Sequence, residues 1–428
     1  MRPCFSSGAR VLALAAMAAI FFAGGSRAAD APSPALAEWI GAEMHEAKIP
    51  GLSVAVIREG RIAWASGFGL ADVAGKQPVT PRTLFQAASI SKPVTAIAAM
   101  IAASEGTLPL DTEVGRILSE PRRWQPVAGW RLFTAYPDVP VTPRMLLAHI
   151  GGTSDFRYSG YRYGYFRTPP APIDRIPDLY EELAGLPPAN TPAVRVIREP
   201  GKTWDYSPAG YTILQALLET VRQKPFFALM DELVLKPFGM ADSTFAQPTP
   251  PDVTARMAKP YLPDGTPLAD GPLVFDTAAS GGLTTTPTDL AMLVIAVQEA
   301  LAGRGRGKLT PEIAERMMVR QPGRTASDKC FATATPDRFA CRNSWGLGFD
   351  VNLDRTLQHA PDGEPTGGYF GHTGFNSGYL AVLIGSKTGG RGLVAMVNAA
   401  PLDMSGDVPG FSFLTKLVRK VADEEKWP

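Results

Sequence analysis

Apolar residues recur along this chain at two spacings, one helical and one extended. In "PALAEWIGAEMHEA", Leu36, Trp39, Ile40 and Met44 share one face of a 3.6-residue repeat, which predicts a helix. The next stretch, "GLSVAVIREGRIAWASGFG", holds two short apolar runs around Glu59 and Gly60 and predicts a hairpin. From about residue 108 to 243 the pattern breaks into helical pieces separated by prolines. From Phe275 onward strands are predicted again, most clearly in "YLAVLIGSKTGGRGLVAMVNA". The closing "FSFLTKLVRKVADEEKW" returns to helical spacing at Phe411, Leu414, Val418 and Val421. The economical architecture is α+β: an antiparallel sheet built from both chain ends, flanked by terminal helices and interrupted by an inserted helical domain. The expected boundaries are 29–107 and 255–428 for the sheet domain and 108–254 for the helical one. The sequence holds no internal repeat.

Composition supports a folded chain and narrows its setting. With 428 residues, 45% hydrophobic and 19% charged, the chain can bury a large core. Residues 1–28 carry arginines, then an apolar run from Val11 to Ala23, then small residues at Ser26 and Ala28. This is the pattern of a secretory signal peptide cleaved after Ala28. The run is short of the roughly 20 residues a membrane-spanning helix needs, and Cys4 is misplaced for a lipoprotein. A periplasmic or secreted protein with no lasting membrane anchor is therefore expected. Cleavage removes three arginines and no acids, moving the formal charge from +1 to −2. That balance gives no reason to expect nucleic acid as a partner. Two cysteines then remain, Cys330 and Cys341, and in an oxidising compartment a short-loop disulfide between them is expected. Two cysteines without companion histidines make a poor metal site, and "HEAKI" at His45 lacks the second histidine of a zinc helix, so neither metal nor other cofactor is expected.

The stretch "FQAASISKPVTAIAAM" places two serines and a lysine where a buried helix begins. Ser89 and Lys92 are three residues apart and share a helical face, whereas Ser91 points elsewhere. Pro93 is tolerated only near a first turn, so Ser89 falls at or beside the helix N-terminus, where free N–H groups favour a developing anion. A lysine desolvated by an apolar setting can serve as the base for a nucleophilic serine. A capping serine beside a surface lysine would give the same letters. Ser-x-x-Lys alone does not choose between them.

Two further stretches do. "DYSPAGY" contains Tyr206 followed by Ser207, and "GYFGHTGFNSGYLAVLIG" places His372, Thr373 and Gly374 just before a strand. With "FQAASISK" they resemble the three motifs of the serine β-lactamase and penicillin-binding protein superfamily, in particular its class C β-lactamase-like hydrolases and esterases. "VTPRMLLAHIGGTSDF", "KPFGMADSTF", "ASGGLTTTPTDLAML" and "WGLGFD" follow in the family's order. The resemblance implies Ser89 as acylated nucleophile, Lys92 as its proton partner and Tyr206 as the phenol that relays the proton. It implies an oxyanion hole made by the backbone N–H groups of Ser89 and Phe375, with Thr373 and Gly374 lining the substrate site. Fixed donors of this kind contribute about 2.7 to 4 kcal/mol each when aimed at a developing oxyanion. His372 stands in the third motif, beside Tyr206, without a lysine's permanent charge.

The remaining signals divide more plainly. "SKTGG" at 386–390 spells a lysine version of the third motif, but between two apolar strands it reads as a hairpin turn. "PGKT" at 200–203 has Val196 where a phosphate loop needs its first glycine. His149, in "LLAHIGG", reads as a core or loop-holding histidine outside the site. "YSGYRYGYFR" at 158–167 interleaves aromatics with arginines; an ordinary Tyr-rich surface loop is one reading, and the functional one is a rim over the substrate cleft rather than a nucleic-acid surface. Much of the family has an asparagine two residues after the motif tyrosine, to hold a substrate's acylamino group; here Pro208 has no side-chain donor or acceptor. The expected activity is hydrolysis of a small ester or a D-amino-acid peptide, ahead of class C-type β-lactamase activity, with Asn376 the candidate to replace the missing amide. A non-catalytic penicillin-recognising module is the competing reading, opposed by the intact Ser89, Lys92 and Tyr206.

Overall fold

Alternation along the first strand sorts its side chains into two cores. Leu52, Val54 and Val56 join the terminal helices, while Ala55 and Ile57 join the helices of the opposite face. The structure is a computed structural model, and it describes residues 31–153, 175–189, 191–268, 271–275, 277–325, 344–359, 368–402, 404 and 408–428. Helix α1 (Pro34–Glu46) is capped by Ser33, whose hydroxyl accepts from the Leu36 N–H, and buries Leu36, Ile40 and Met44. Strands β1 (Gly51–Arg58) and β2 (Arg61–Asp72) form the predicted hairpin, closed by Glu59 and Gly60, both at positive φ as a tight two-residue turn requires. A short edge strand, β3 (Gln77–Pro78), follows.

Helix α2 (Ser91–Ser104) is buried from Ser91 to Ala102, which is why its sequence is apolar on every face. Beside it lies α3 (Pro208–Arg222), and α4 (Pro287–Leu301) packs directly on β1 and β2. Four strands complete the sheet: β4 (Asp350–Leu353), β5 (Tyr369–Asn376), β6 (Tyr379–Ser386) and β7 (Gly392–Val397). Helix α5 (Pro409–Glu424) closes the fold. The seven strands run in the order β4-β5-β6-β7-β1-β2-β3, every pair antiparallel. Helices α1 and α5 cover one face and α2, α3 and α4 stack over the other, giving the α+β arrangement. Among the described residues no helix is long and apolar enough to cross a membrane.

The expected return of strands at Phe275 is corrected by α4. "PTDLAMLVIAVQEAL" is helical, started by Thr286 accepting from the Asp289 N–H. Its Leu, Val and Ile run imitates a buried strand because the helix is buried almost all round, so no polar face marks its period. Between Phe275 and Asp350 the described strands are two-residue pieces only. The "SKTGG" stretch is the turn between β6 and β7, with Gly389 and Gly390 at positive φ. Residues 1–28, expected to be a leader, Cys330 and Cys341, and the 158–167 segment lie outside the described residues.

Candidate active site

The Ser89 segment is a 3₁₀ turn, Ala88–Ile90, running directly into α2. Ala88 holds φ +50, a left-handed conformation costing a non-glycine residue about 1–3 kcal/mol. Two neighbours over-determine it: Ser91 Oγ donates to the Ala88 carbonyl at 2.6 Å, and the Ala87 N–H donates to the Leu283 carbonyl at 2.8 Å. Ser91 is therefore a structural serine, fully buried, also accepting from the Leu283 N–H at 3.0 Å. Ser89 is half-buried with its hydroxyl 3.1 Å from Lys92 Nζ.

Lys92 is 1% exposed and also donates to the Ser280 carbonyl at 2.7 Å. That carbonyl belongs to a helical turn, Ala278–Gly281, pinned from two sides. Thr95 Oγ1 of α2 donates to the Ala279 carbonyl at 3.1 Å, and Gln215 Oε1 of α3 accepts from the Ala279 N–H at 3.0 Å. Burial pushes the Lys92 amine well below its ordinary range. Its partners are a hydroxyl and a carbonyl, neither of which compensates a full positive charge as a carboxylate would. Once it gives up a proton, the amine has two N–H donors and one lone pair, and with one donor held by Ser280 the lone pair can turn to Ser89.

Tyr206 precedes α3, whose N-cap is Ser207, accepting from the Gly210 N–H at 3.0 Å, and whose first residue is Pro208. Lys92 Nζ stands 4.8 Å from the Tyr206 ring centroid. Burial raises the phenol pKa well above its ordinary value, and the neighbouring Ser89 hydroxyl acts more weakly in the opposite direction. The phenol stays protonated at neutral pH.

Strand β5 brings the third motif. The Lys387 N–H donates to the Gly368 carbonyl at 2.8 Å, which fixes the ladder's parity: even-numbered β5 residues exchange hydrogen bonds with β6, odd-numbered ones face away. On that far side the described pairing with β4 reaches Tyr369 and Gly371. Thr373 and Phe375 thus turn their N–H and C=O groups out of the sheet beside the Ser89 turn. Gly374 makes the approach possible, because a Cβ there would lie 2.2 Å from the Ala87 carbonyl oxygen. The Phe375 ring goes to the other face, 6.5 Å from Phe411, so only its backbone is turned toward the Ser89 segment. Thr373 is exposed, and its carbonyl faces His372 Nδ1 at 2.5 Å. A carbonyl only accepts, so Nδ1 carries the proton and Nε2, buried and without a hydrogen-bond partner among the described residues, is the acceptor. Burial above all lowers the His372 pKa to about 3, and a proton on Lys92 would act in the same direction. The ring is neutral, 6.1 Å from Tyr206 and 5.1 Å from Trp345.

The model of the family described as Beta-lactamase matches residues 36–409. The chain belongs to the Beta-lactamase family. Among curated relatives, "Esterase EstB" of Burkholderia gladioli is 34% identical over 226 residues, which are 52% of this chain and 53% of that protein. "Penicillin-binding protein 4*" of Bacillus subtilis is 27% identical over 187 residues, 43% of this chain and 35% of that one. The matched segments thus span about half of EstB and about a third of the second relative. Among solved structures, the octameric penicillin-binding protein homologue from Pyrococcus abyssi aligns with TM-score 0.67 at 23% identity, covering 91% of this chain and 77% of that one, which speaks for the fold alone.

Within this Beta-lactamase-family fold Ser89, Lys92, Tyr206, His372 and Gly374 converge, with Thr373 and Phe375 contributing backbone groups. Three participants escaped sequence reading. The Ser280 carbonyl is a backbone acceptor, and no residue type signals it. Trp345, 8% exposed, touches the rings of His149, Tyr206 and His372 from the segment before β4. His149, placed outside the site by its sequence context, lies with its ring 4.5 Å from that of Tyr206. Asn376 is buried and donates to Gln86 Oε1 at 3.1 Å, while Gln86 donates to the Leu273 carbonyl, so its amide ties β5 to the Ser89 segment rather than standing in for an asparagine at Pro208.

Proposed function

We propose that the chain is a secreted serine hydrolase that cleaves small esters through an acyl-enzyme on Ser89. The observation that carries this reading is the Lys92 amine, buried so that its pKa is pushed well down, 3.1 Å from the Ser89 hydroxyl. Ser89 Oγ attacks the substrate carbonyl carbon as its proton passes to the Lys92 lone pair. The oxyanion is held by the Ser89 and Phe375 N–H groups. Collapse breaks the ester C–O bond, and the leaving alkoxide takes a proton relayed from Lys92 through the Tyr206 hydroxyl. Water then attacks the acyl carbon as its proton passes to Lys92, and collapse breaks the bond from that carbon to Ser89 Oγ, which takes the proton from Lys92 as the acid leaves. The high phenol pKa suits Tyr206 to relay a proton rather than to act as a standing phenolate.

Esterase activity is favoured over β-lactam hydrolysis by Pro208, by the commitment of Asn376 to Gln86, and by the likeness to EstB. A D-amino-acid peptidase is the second reading, supported by the likeness to penicillin-binding proteins. p-Nitrophenyl acetate and butyrate, nitrocefin and a D-alanyl dipeptide, assayed side by side, separate these. We expect kcat/KM for the esters to exceed that for nitrocefin by at least about 100-fold, since esters need no acylamino contact. Nitrocefin turnover equal to that of the esters would reject the assignment.

A further inference from the structure

We propose that His149 is the positioning residue that holds Tyr206 in place over the Ser89 and Lys92 pair. Three contacts converge on that tyrosine. The Asp205 N–H donates to the His149 backbone carbonyl at 2.8 Å, and the Ser207 N–H donates to His149 Nδ1 at 3.0 Å, so the residues before and after Tyr206 are both tied to one histidine. The third contact is ring to ring, with centroids 4.5 Å apart and planes inclined by 36°. The imidazole cannot swing away, since Trp345 at 5.0 Å and Tyr211 at 5.3 Å hold it from other directions.

A histidine that merely filled the core would need the ring and nothing else, and phenylalanine would serve. Here Nδ1 must be an acceptor, and the residue holds φ +57, a left-handed conformation that brings carbonyl and side chain to bear on the same loop. Burial keeps the ring unprotonated, the state in which Nδ1 can accept. The Ser207 N–H fixes the proton on Nε2. His149 acts through Tyr206 and has no described contact with Ser89. The inference rests on the reading of Tyr206 as the phenol that carries the proton.

The test combines kinetics with a spectroscopic readout of the tyrosine itself. His149→Asn keeps a residue tolerant of positive φ but removes the ring, and His149→Phe keeps the ring but removes the acceptor. Each is compared with Tyr206→Phe and with the corresponding double variant on p-nitrophenyl acetate. The protein is labelled with ¹³C-tyrosine, the Tyr206 ring signal being the one lost in Tyr206→Phe. Each single His149 variant is expected to lower kcat about 10- to 100-fold with KM changed less than about twofold, and to shift or broaden the Tyr206 signal. In the Tyr206→Phe background the His149 change is expected to cost less than about threefold more. Losses that multiply, or a Tyr206 signal left unmoved in both folded variants, would overturn the proposal. Full kcat in Tyr206→Phe would instead defeat the catalytic reading, and the ring signal would still decide whether His149 holds the tyrosine.

Discussion

Lys92 gives one N–H to the Ser280 carbonyl at 2.7 Å, and this bond aims the rest of the amine at Ser89. The lysine is thus buried, which disfavours its charged form, and oriented, at a cost in stability. A lysine whose pKa falls on folding takes up its proton in the unfolded chain first, so its contribution to stability rises with pH and is unfavourable at pH 7. Lys92→Met is therefore expected to lose at least about 10³-fold in kcat for ester hydrolysis while its Tm rises by roughly 2 °C or more. Calorimetry and steady-state assays on the same sample check both halves. An active Lys92→Met, or one less stable than the parent, would break the link between burial and basicity. In the parent, kcat/KM is expected to rise with pH through an apparent pKa below lysine's ordinary value.

Gly374 sets how closely β5 approaches the Ser89 turn. Gly374→Ala puts a methyl group on the Ala87 carbonyl, at 2.2 Å before relaxation, and the strand must move away with the Phe375 N–H. The expected loss is about 100-fold in kcat, the scale of one mis-aimed oxyanion donor, with Tm lowered by a few degrees. Activity within about threefold of the parent would show that Phe375 is not that donor.

Acid should loosen this site through its histidines. His372 is held at about pKa 3 and His149 also below its ordinary value, so the unfolded chain binds protons first as pH falls. The contribution of His372 is complete above about pH 6.5 and is lost progressively toward pH 3, and that of His149 is lost in the same direction. Urea unfolding at pH 7 and pH 4.5 is expected to show a loss that His372→Gln reduces by about 2 kcal/mol, the worth of two pH units on one group less some leakage. An identical loss in His372→Gln would mean that the histidine does not titrate with folding.

Much of this was legible in the sequence because the chemistry and the local geometry coincide. Ser89 and Lys92 meet through helical spacing alone, and the short, nearly unbroken apolar run "YLAVLIGS" marks β6 as a strand buried on both faces. The terminal helix is equally plain, since Leu414, Val418 and Val421 fall on one buried stripe. Helix α4 was misread as extended because burial on nearly every side erased the polar face that would have shown its period. The Ser280 carbonyl and the tie of His149 to Tyr206 were illegible for a different reason. Both are contacts across long stretches of chain, and the first is made by a backbone atom that every residue possesses. Pro208 could be seen in the sequence, but the commitment of Asn376 to Gln86, 290 residues away, could not.

The central claim is that Ser89, and not the neighbouring Ser91, forms the acyl-enzyme. A fluorophosphonate probe followed by intact mass and peptide mapping tests it most directly. We expect a single adduct on Ser89, none in Ser89→Ala, and continued labelling in Ser91→Ala, whose loss of the Ala88 and Leu283 bonds should lower stability by about 1–3 kcal/mol without removing the nucleophile. An adduct on Ser91 or on a serine outside this helix start, or full esterase activity in Ser89→Ala, would contradict the mechanism.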